Sequence, residues 1–381
     1  SYAGYSIRET AKEGYETMPG SDPSYPTKRP DAAKREELYK LALTHLDVII
    51  KDGPHKLNPS FEDEWYRINQ RTLDNQYYEN LYEVAHGLGT SGEMGYTIGV
   101  RLNAKDNNSA SWGYGNSSAK VQLTAPFFWS FDHKDLRRDI TCANYTIEGN
   151  DKDTPDIEKM AGNKPFQLYV AKWDVRKMSE EWLKQNKNAS AKKGLLMYAE
   201  VMNELFGPDA IGTATCGKTG RDALMEVHCR AFDTADQANA QAYVNGISSA
   251  DFFDAVVDER AWELAGEAVR KYDLIRWGLL SSKTQEMLDN YINVVKPNAP
   301  AKLYYNMRSD DPKSIDMSSV QWYATPANTG DYKKSSDFWG KEDSKLEVFT
   351  ENISSGLNKT VINRHLLPLG SSVISDSKGK L

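Results

Sequence analysis

The stretch 251–278, DFFDAVVDERAWELAGEAVRKYDLIRWG, constrains this chain more than any other. It holds no proline, and Gly266 is the one glycine before Gly278. Ala261, Leu264, Ala265, Ala268, Tyr272 and Ile275 recur at spacings of three and four. That spacing predicts one apolar stripe on an α-helix of about 25 residues. Ser248 or Ser249 suits its N-cap, and Asp251 and Asp254 fall in the first turns, where the helix dipole favours anions. Gly278, just after Arg276, suits its stop.

Charge lies beside this stripe. Glu259, Glu263, Glu267 and Arg270 fall at i, i+4, i+8 and i+11, and Arg260, Asp273 and Arg276 add charge at helical spacing. A surface helix would turn such residues to the far face. Two readings fit. One is a carboxylate pair for acid–base chemistry. The other, which the spacing favours, is a salt-bridge network that fixes how helices dock.

The run ERAWELAGEAVRKYDLIRWG (259–278) resembles the C-terminal signature helix of the SusD/RagB family, surface lipoproteins of Bacteroidetes that capture nutrients, usually glycans. Segments 31–87, 121–141, 194–232 and 362–375 resemble the family in the same order. The closing RHLLPLG departs from the family's pattern only where Gly370 replaces a second proline. The resemblance implies a mainly α fold of tetratricopeptide-like helix pairs, with long irregular loops and a few short strands. It implies one SusD-like domain over 1–381, with a helical scaffold at 31–87 and 194–295. Ligand-facing loops would then occupy 88–193 and 296–362. It also implies no catalysis, a SusC-like TonB-dependent transporter as partner, and a cell-surface place at the outer membrane. The family's lipidated cysteine and first helices have no counterpart here, so membrane attachment is expected only through a lipid anchor outside this chain.

Composition narrows the alternatives. Charged residues make up 27% and the net charge is −7, so no basic footprint for nucleic acid is expected. No run approaches 18 apolar residues, so no segment reads as a membrane-spanning helix. Cys142, Cys216 and Cys229 form no CxxC pair and the six histidines are scattered, so no zinc site is expected. The acidic run 148–158, with Asp151, Asp153 and Asp156, is the one candidate for Ca²⁺, but it lacks the glycine and terminal glutamate of an EF-hand loop. No other cofactor is implied.

The chain is rich in aromatics: 21 Tyr, 9 Trp and 11 Phe, enough to furnish binding platforms as well as cores. Trp112 and Tyr114 stand in a Gly/Ser/Asn-rich loop with little local core to join, and Asn103 and Asn108 lie close by. A stacking platform for a sugar ring, with amides for its hydroxyls, and a loop anchor are both open readings. Trp129, in the FFW run before Asp135, Arg137, Arg138 and Asp139, is a second candidate surface. That Asp/Arg run reads as a structural ion cluster. Trp322 and Tyr323 are further candidates for a ligand face.

Residues 212–219, GTATCGKT, match the P-loop pattern GxxxxGK[ST] letter for letter. A P-loop must leave a buried parallel strand and open a helix. Here a helical pattern and Gly207-Pro208 precede it, so a helix–helix connector is expected. Besides oligosaccharide capture, the remaining alternatives are the same fold binding peptides, a protein–protein scaffold, and a P-loop NTPase or glycoside hydrolase.

Overall fold

In the computed structural model, Asp31 caps the first helix, α1 (Ala32–Asp52), its Oδ1 accepting from the Lys34 amide at 2.8 Å. The structure describes residues 31–70, 72, 74–85, 97–103, 119–148, 157–161, 168–174, 177, 188–191 and 194–337. Among these, one compact unit holds 31–38 and 271–289, and a second holds 39–270 and 290–337. The apolar spacing of α1 predicts a face of Leu38, Leu41, Ala42, Leu46 and Ile49 or Ile50. The buried residues are instead Tyr39, Leu43 and Asp47, and Leu41 is 53% exposed. The face is rotated because Asp47 is drawn inward by a polar partner, described below.

Helix α2 (Phe61–Gln70) buries Phe61, Trp65 and Ile68, as their spacing predicts. Short elements follow: β1 (Tyr82–Ala85), β2 (Leu102–Asn103), β3 (Gln122–Leu123), α3 (Ala125–Ser130), α4 (Arg137–Thr141), β4 (Cys142–Ala143), β5 (Tyr145–Glu148), β6 (Ile157–Met160), β7 (Leu168–Val170) and β8 (Asn188–Ala191). β7 lies between β3 and β4, antiparallel to both. β5 pairs in parallel with β2 and antiparallel with β6. β8, in a stretch that reads as polar connector, pairs antiparallel with β1. The aromatics of α3 pack on the first two of these sheets in one core with Leu102, Ile147, Leu168 and Leu303.

The helical array follows: α5 (Gly194–Phe206), α6 (Gly220–Arg230), α7 (Gln237–Gly246) and α8 (Phe252–Leu264). α6 packs on α5 and α7, and α8 packs on α4, α5 and α6. The connector between α5 and α6 carries the P-loop lettering, and the element that leads directly into it is the helix α5, not a strand. The amides of Thr215 and Cys216 are engaged by the Asp47 carboxylate at 2.8–2.9 Å, and Thr215 Oγ1 adds a bond of 2.7 Å. Lys218 pairs with Glu226 at 2.8 Å, and Thr219 forms a capping box with Asp222 at the start of α6. The loop thus cradles an anion, but the anion is a side chain of α1.

Burial opposes the charge of Asp47, but the bonds from Thr215 and Cys216 outweigh it and hold the carboxyl at about 2. A depressed carboxylate pKa stabilises the fold at pH values above the unfolded pKa and ceases to do so as pH falls through the folded one. Asp47→Asn is therefore expected to cost about 2 kcal/mol at neutral pH. The deficit should close as pH falls from about 4 towards 2. Urea denaturation at pH 7 and pH 3 checks both statements.

The predicted 25-residue helix is broken. α8 ends at Leu264, and α9 (Arg270–Trp277) begins after a turn over 265–269. Gly266 sits at φ +79°, where a Cβ would meet Val170 Cγ1 at 2.3 Å. Ala268 also takes a left-handed φ of +58°. The freed end of α8 is held by neighbours of Val170: Lys172 Nζ donates to the Glu263 carbonyl at 2.7 Å, and Trp173 Nε1 to that of Gly266 at 3.4 Å. A cation against the last carbonyls of a helix is the favourable polarity. The periodicity misses the break because Leu264, Ala265 and Ile275 are buried in either geometry, whereas Ala268 and Tyr272 of the same predicted stripe are exposed.

α9 stops where the sequence predicts. Gly278 has φ +72°, with its amide bonded to the Ile275 carbonyl and that of Leu279 to Leu274, satisfying the last carbonyls. α10 (Leu280–Asn290) continues through one π turn, 291–295, to Asn298, so Lys296-Pro297 do not end it as their composition predicts. Pro297 is tolerated because it opens the final short helical turn. β9 (Lys302–Met307), β10 (Ile315–Asp316) and β11 (Lys334–Asp337) form an antiparallel sheet with β9 central.

Candidate functional site

Three of the sequence candidates converge. Trp129 lies in the last turn of α3, while Trp322 and Tyr323 follow the β9–β10 hairpin, nearly two hundred residues later. Phe128, fully buried, stands between them: its ring centroid is 4.4 Å from Trp322, 5.7 Å from Trp129 and 6.2 Å from Tyr323. Trp129 meets Tyr323 edge to face at 5.2 Å. Exposed His133 stacks on Tyr323 at 3.7 Å with an interplanar angle of 11°.

Arg138 ties this group down. Its guanidinium lies 5.0 Å from the Phe128 centroid, donates to Tyr323 Oη at 3.0 Å, and clasps Asp139 with two bonds of 2.9 and 3.0 Å. Burial pushes the Tyr323 phenol up in spite of Arg138, so the hydroxyl stays protonated at neutral pH. Burial and Arg138 both push His133 down, so its ring is neutral and free to stack on an uncharged surface.

The three candidates differ in what they can offer a ligand. Trp322 is 2% exposed and is a core side chain, so it presents no face to a ligand. Trp129, Tyr323 and His133 keep exposed surface and form a rigid aromatic ledge. Asn103 ends β2, and its Oδ1 accepts from Arg101 Nε at 3.0 Å, which leaves its amide N–H groups for other partners. Trp112, Tyr114 and Asn108, and the acidic positions Asp151, Asp153 and Asp156, lie outside the described residues. Among the described residues no cluster of His, Cys, Asp and Glu has the arrangement of a metal site.

The charged residues of 259–276 form the predicted network, with partners that the sequence does not reveal. Fully buried Arg137 binds Asp135 at 2.7 Å, Glu259 at 2.5 Å and Glu263 at 3.1 Å. Arg230 bonds the other oxygen of Glu263 and also Glu79. His228 Nδ1 lies 2.7 Å from Glu259 Oε2. Glu267 pairs with Lys172 at 3.0 Å, Arg270 donates to the Val257 carbonyl at 2.6 Å, and Arg276 pairs with Asp273 at 3.0 Å. Arg260 is buried on the same helix, α8.

This network also bears on chemistry. Burial works against the charge of Glu263, but Arg230, Arg137 and Lys172 outweigh it and hold the carboxyl at about 2. Glu259 is likewise held low by Arg137 and His228 against its burial. Carboxylates locked in the charged form and closed off from solvent cannot trade protons with a substrate, so the acid–base reading of Glu259 and Glu263 has no physical basis. The hubs that sequence reasoning missed are Arg230, Lys172 and His228. Their signal is faint, since a basic residue on an amphipathic helix ordinarily faces water.

The comparisons with known proteins agree with this architecture. The model of the SusD family matches residues 76–379. A SusD-like protein P25 of Formosa agariphila is 39% identical over 92 residues, which are 24% of this chain and 15% of that protein. The crystal structure of a SusD homolog from Bacteroides thetaiotaomicron superposes with a TM-score of 0.53 at 23% identity, covering 68% of this chain and 52% of that one. The chain thus matches about half the length of that solved relative. With a family model that covers most of its length, and with its mainly α architecture, the chain belongs to the SusD family.

Proposed function

We propose that this chain is a non-catalytic, glycan-capturing protein of the cell surface. It binds oligosaccharide and passes it to a SusC-like TonB-dependent transporter in the outer membrane. The observation that carries the reading is membership of the SusD family over residues 76–379. The ledge of Trp129, Tyr323 and His133 supports it with preformed, half-exposed ring surface of the kind that stacks on a pyranose. Trp112, Tyr114, Asn103 and Asn108 would supply the remaining contacts. Binding needs no cofactor in this scheme. Among the described residues no helix is long and apolar enough to cross a membrane.

Titration of an oligosaccharide and short-peptide panel, followed by tryptophan fluorescence, tests the reading. Trp129→Ala and Trp112→Ala are each expected to weaken saccharide binding by about tenfold, the loss typical of an aromatic anchor. Peptide binding with no saccharide signal would sink the glycan reading and leave the fold assignment in place.

A further inference from the structure

A cavity of about 440 Å³, within the range of small-ligand pockets, opens between the helical array and residues 130–135, the segment that follows Trp129 of the ledge. Its wall is a run of aromatic rings from four places in the chain. Phe131 follows α3, His228 lies in α6 with Phe232 just beyond it, Tyr243 lies in α7 and Trp262 in α8. Ring centroids step along the wall: Phe131 to Trp262 is 6.2 Å, Trp262 to His228 is 6.3 Å, and His228 to Tyr243 is 4.8 Å.

The depth of each ring sets its role. Phe131 and Phe232 are buried and make the floor, while Tyr243 is 47% exposed and stands at the mouth. The polar edges of the wall are already fixed. Trp262 Nε1 donates to Ser130 Oγ at 2.9 Å, and His228 Nδ1 is held by buried Glu259. What remains for a ligand is ring surface, held rigid by the ion network behind it.

The rim is different. The carboxylate of Asp236, the side-chain amide of Asn239, the ammonium of Lys134 and the hydroxyl of Tyr243 line the opening, and none of these side-chain groups has a hydrogen-bond or ion-pair partner among the described residues. Asp236 is the N-cap of α7 and Asn239 lies in its first turn, where the backbone N–H of Asn239 donates to the Asp236 carbonyl at 3.1 Å. Donors and acceptors on a rigid rim, above an aromatic wall, match a pyranose ring: a C–H face on one side and hydroxyls around the edge. The charge narrows the choice. Asp135 is neutralised by Arg137, which leaves Asp132 and Asp236 against Lys134 alone.

We propose that this cavity is a second saccharide subsite, which takes one neutral or amine-bearing pyranose unit and excludes uronate and sulfated sugars. It deepens the glycan-capture reading and rests on it. It also assigns ligand-facing work to α6, α7 and α8, helices that otherwise serve as scaffold.

Fluorine NMR of the 5-fluorotryptophan protein tests it, since each of the 9 Trp gives its own resonance and Trp262→Phe identifies one of them. The probes are maltotriose, cellotriose, laminaritriose, a glucosamine trimer and trigalacturonate. The Trp262 resonance is expected to shift with at least one neutral or amine-bearing trimer and to stay still with trigalacturonate. Asn239→Ala and Asp236→Ala, both at the rim, should weaken that shift-derived affinity about three- to tenfold. Tyr243→Leu removes ring surface at the mouth, away from the buried floor, so the result does not hinge on how well Trp262→Phe folds. A shift of other Trp resonances with Trp262 silent would overturn the subsite and leave glycan capture standing. A Trp262 shift with trigalacturonate alone would overturn the assigned ligand class. No shift with any saccharide would overturn both.

Discussion

Arg137→Ala is expected to lower the unfolding free energy by about 3–5 kcal/mol, a larger loss than substitution of Gly266 or Asp47 should bring. The guanidinium is fully buried and faces three carboxylates, those of Asp135, Glu259 and Glu263. Removing it leaves these anions without their shared counter-ion in a medium that solvates them poorly. Burial already pushes the carboxyl of Asp135 up in spite of Arg137. Urea denaturation of the variant reads the loss. If desolvated carboxylates are its cause, Glu259→Gln in the Arg137→Ala background should recover part of it, since the residues are in direct contact and couple non-additively. As a control, Arg308→Ala removes a pair between exposed partners, Arg308 and Asp310, and should leave the midpoint unchanged.

The same network sets an acid limit. The Glu263 carboxyl is lowered from 4.5 to about 2, so its contribution is complete above the unfolded value and is lost as pH falls through the folded one. Asp135 has the opposite sign. Its pKa is raised, so its protonation favours the folded state at low pH and offsets part of the loss. The net expectation is a falling melting temperature between about pH 4.5 and 2 in the wild type. The fall should be shallower in Arg137→Ala, in which the cations that lower Glu263 are reduced in number.

Gly266→Ala has the second-largest expected effect, about 3 kcal/mol, from two sources that act together. The backbone there has φ +79°, a conformation that costs any L side chain, and the new methyl would meet Val170 Cγ1 at 2.3 Å. Val170 is fully buried in β7 and has little room to move. Gly207 and Gly217 separate the two sources. They have φ of +81° and +74° with nothing within 4 Å of an added Cβ, so alanine at either should cost only the backbone share, about 1 kcal/mol. Thermal melts of the three variants make the comparison. A Gly266→Ala protein no less stable than Gly217→Ala would show that the strand and the helix break are not in close contact.

Such a result would matter beyond one residue, because this contact is where the helical array meets the strands. Lys172 and Trp173 follow Val170 and grip the end of α8, while Arg137 grips its middle from α4. The aromatic ledge begins with α3, just ahead of α4, and so is carried by the same joint. A change at Gly266 or Arg137 is therefore expected to loosen ligand-facing elements as well as the scaffold.

The local periodicity of the chain determined a good deal on its own. The existence of α1, α2, α5, α6 and α8 is legible from apolar spacing, caps and glycine stops, because those signals act within a few residues, whereas α7 has no such pattern and is seen only in the structure. The charge register of Glu259, Glu263 and Glu267 was legible as a network for the same reason. Only the tertiary structure decided who the partners are. Arg137 lies 122 residues from Glu259, and Asp47 lies 168 residues from Thr215, too far apart for spacing to relate them. The break at Gly266 was decided by a valine in a distant strand. Trp322 and Tyr323 were adjacent candidates in sequence, and packing against Phe128 left one as core and the other with a usable edge. The cavity of Phe131, Tyr243 and Trp262 left no local trace, since each ring alone reads as ordinary core. Local order follows from interactions between near neighbours, whereas a binding surface is made by residues that only the folded chain brings together.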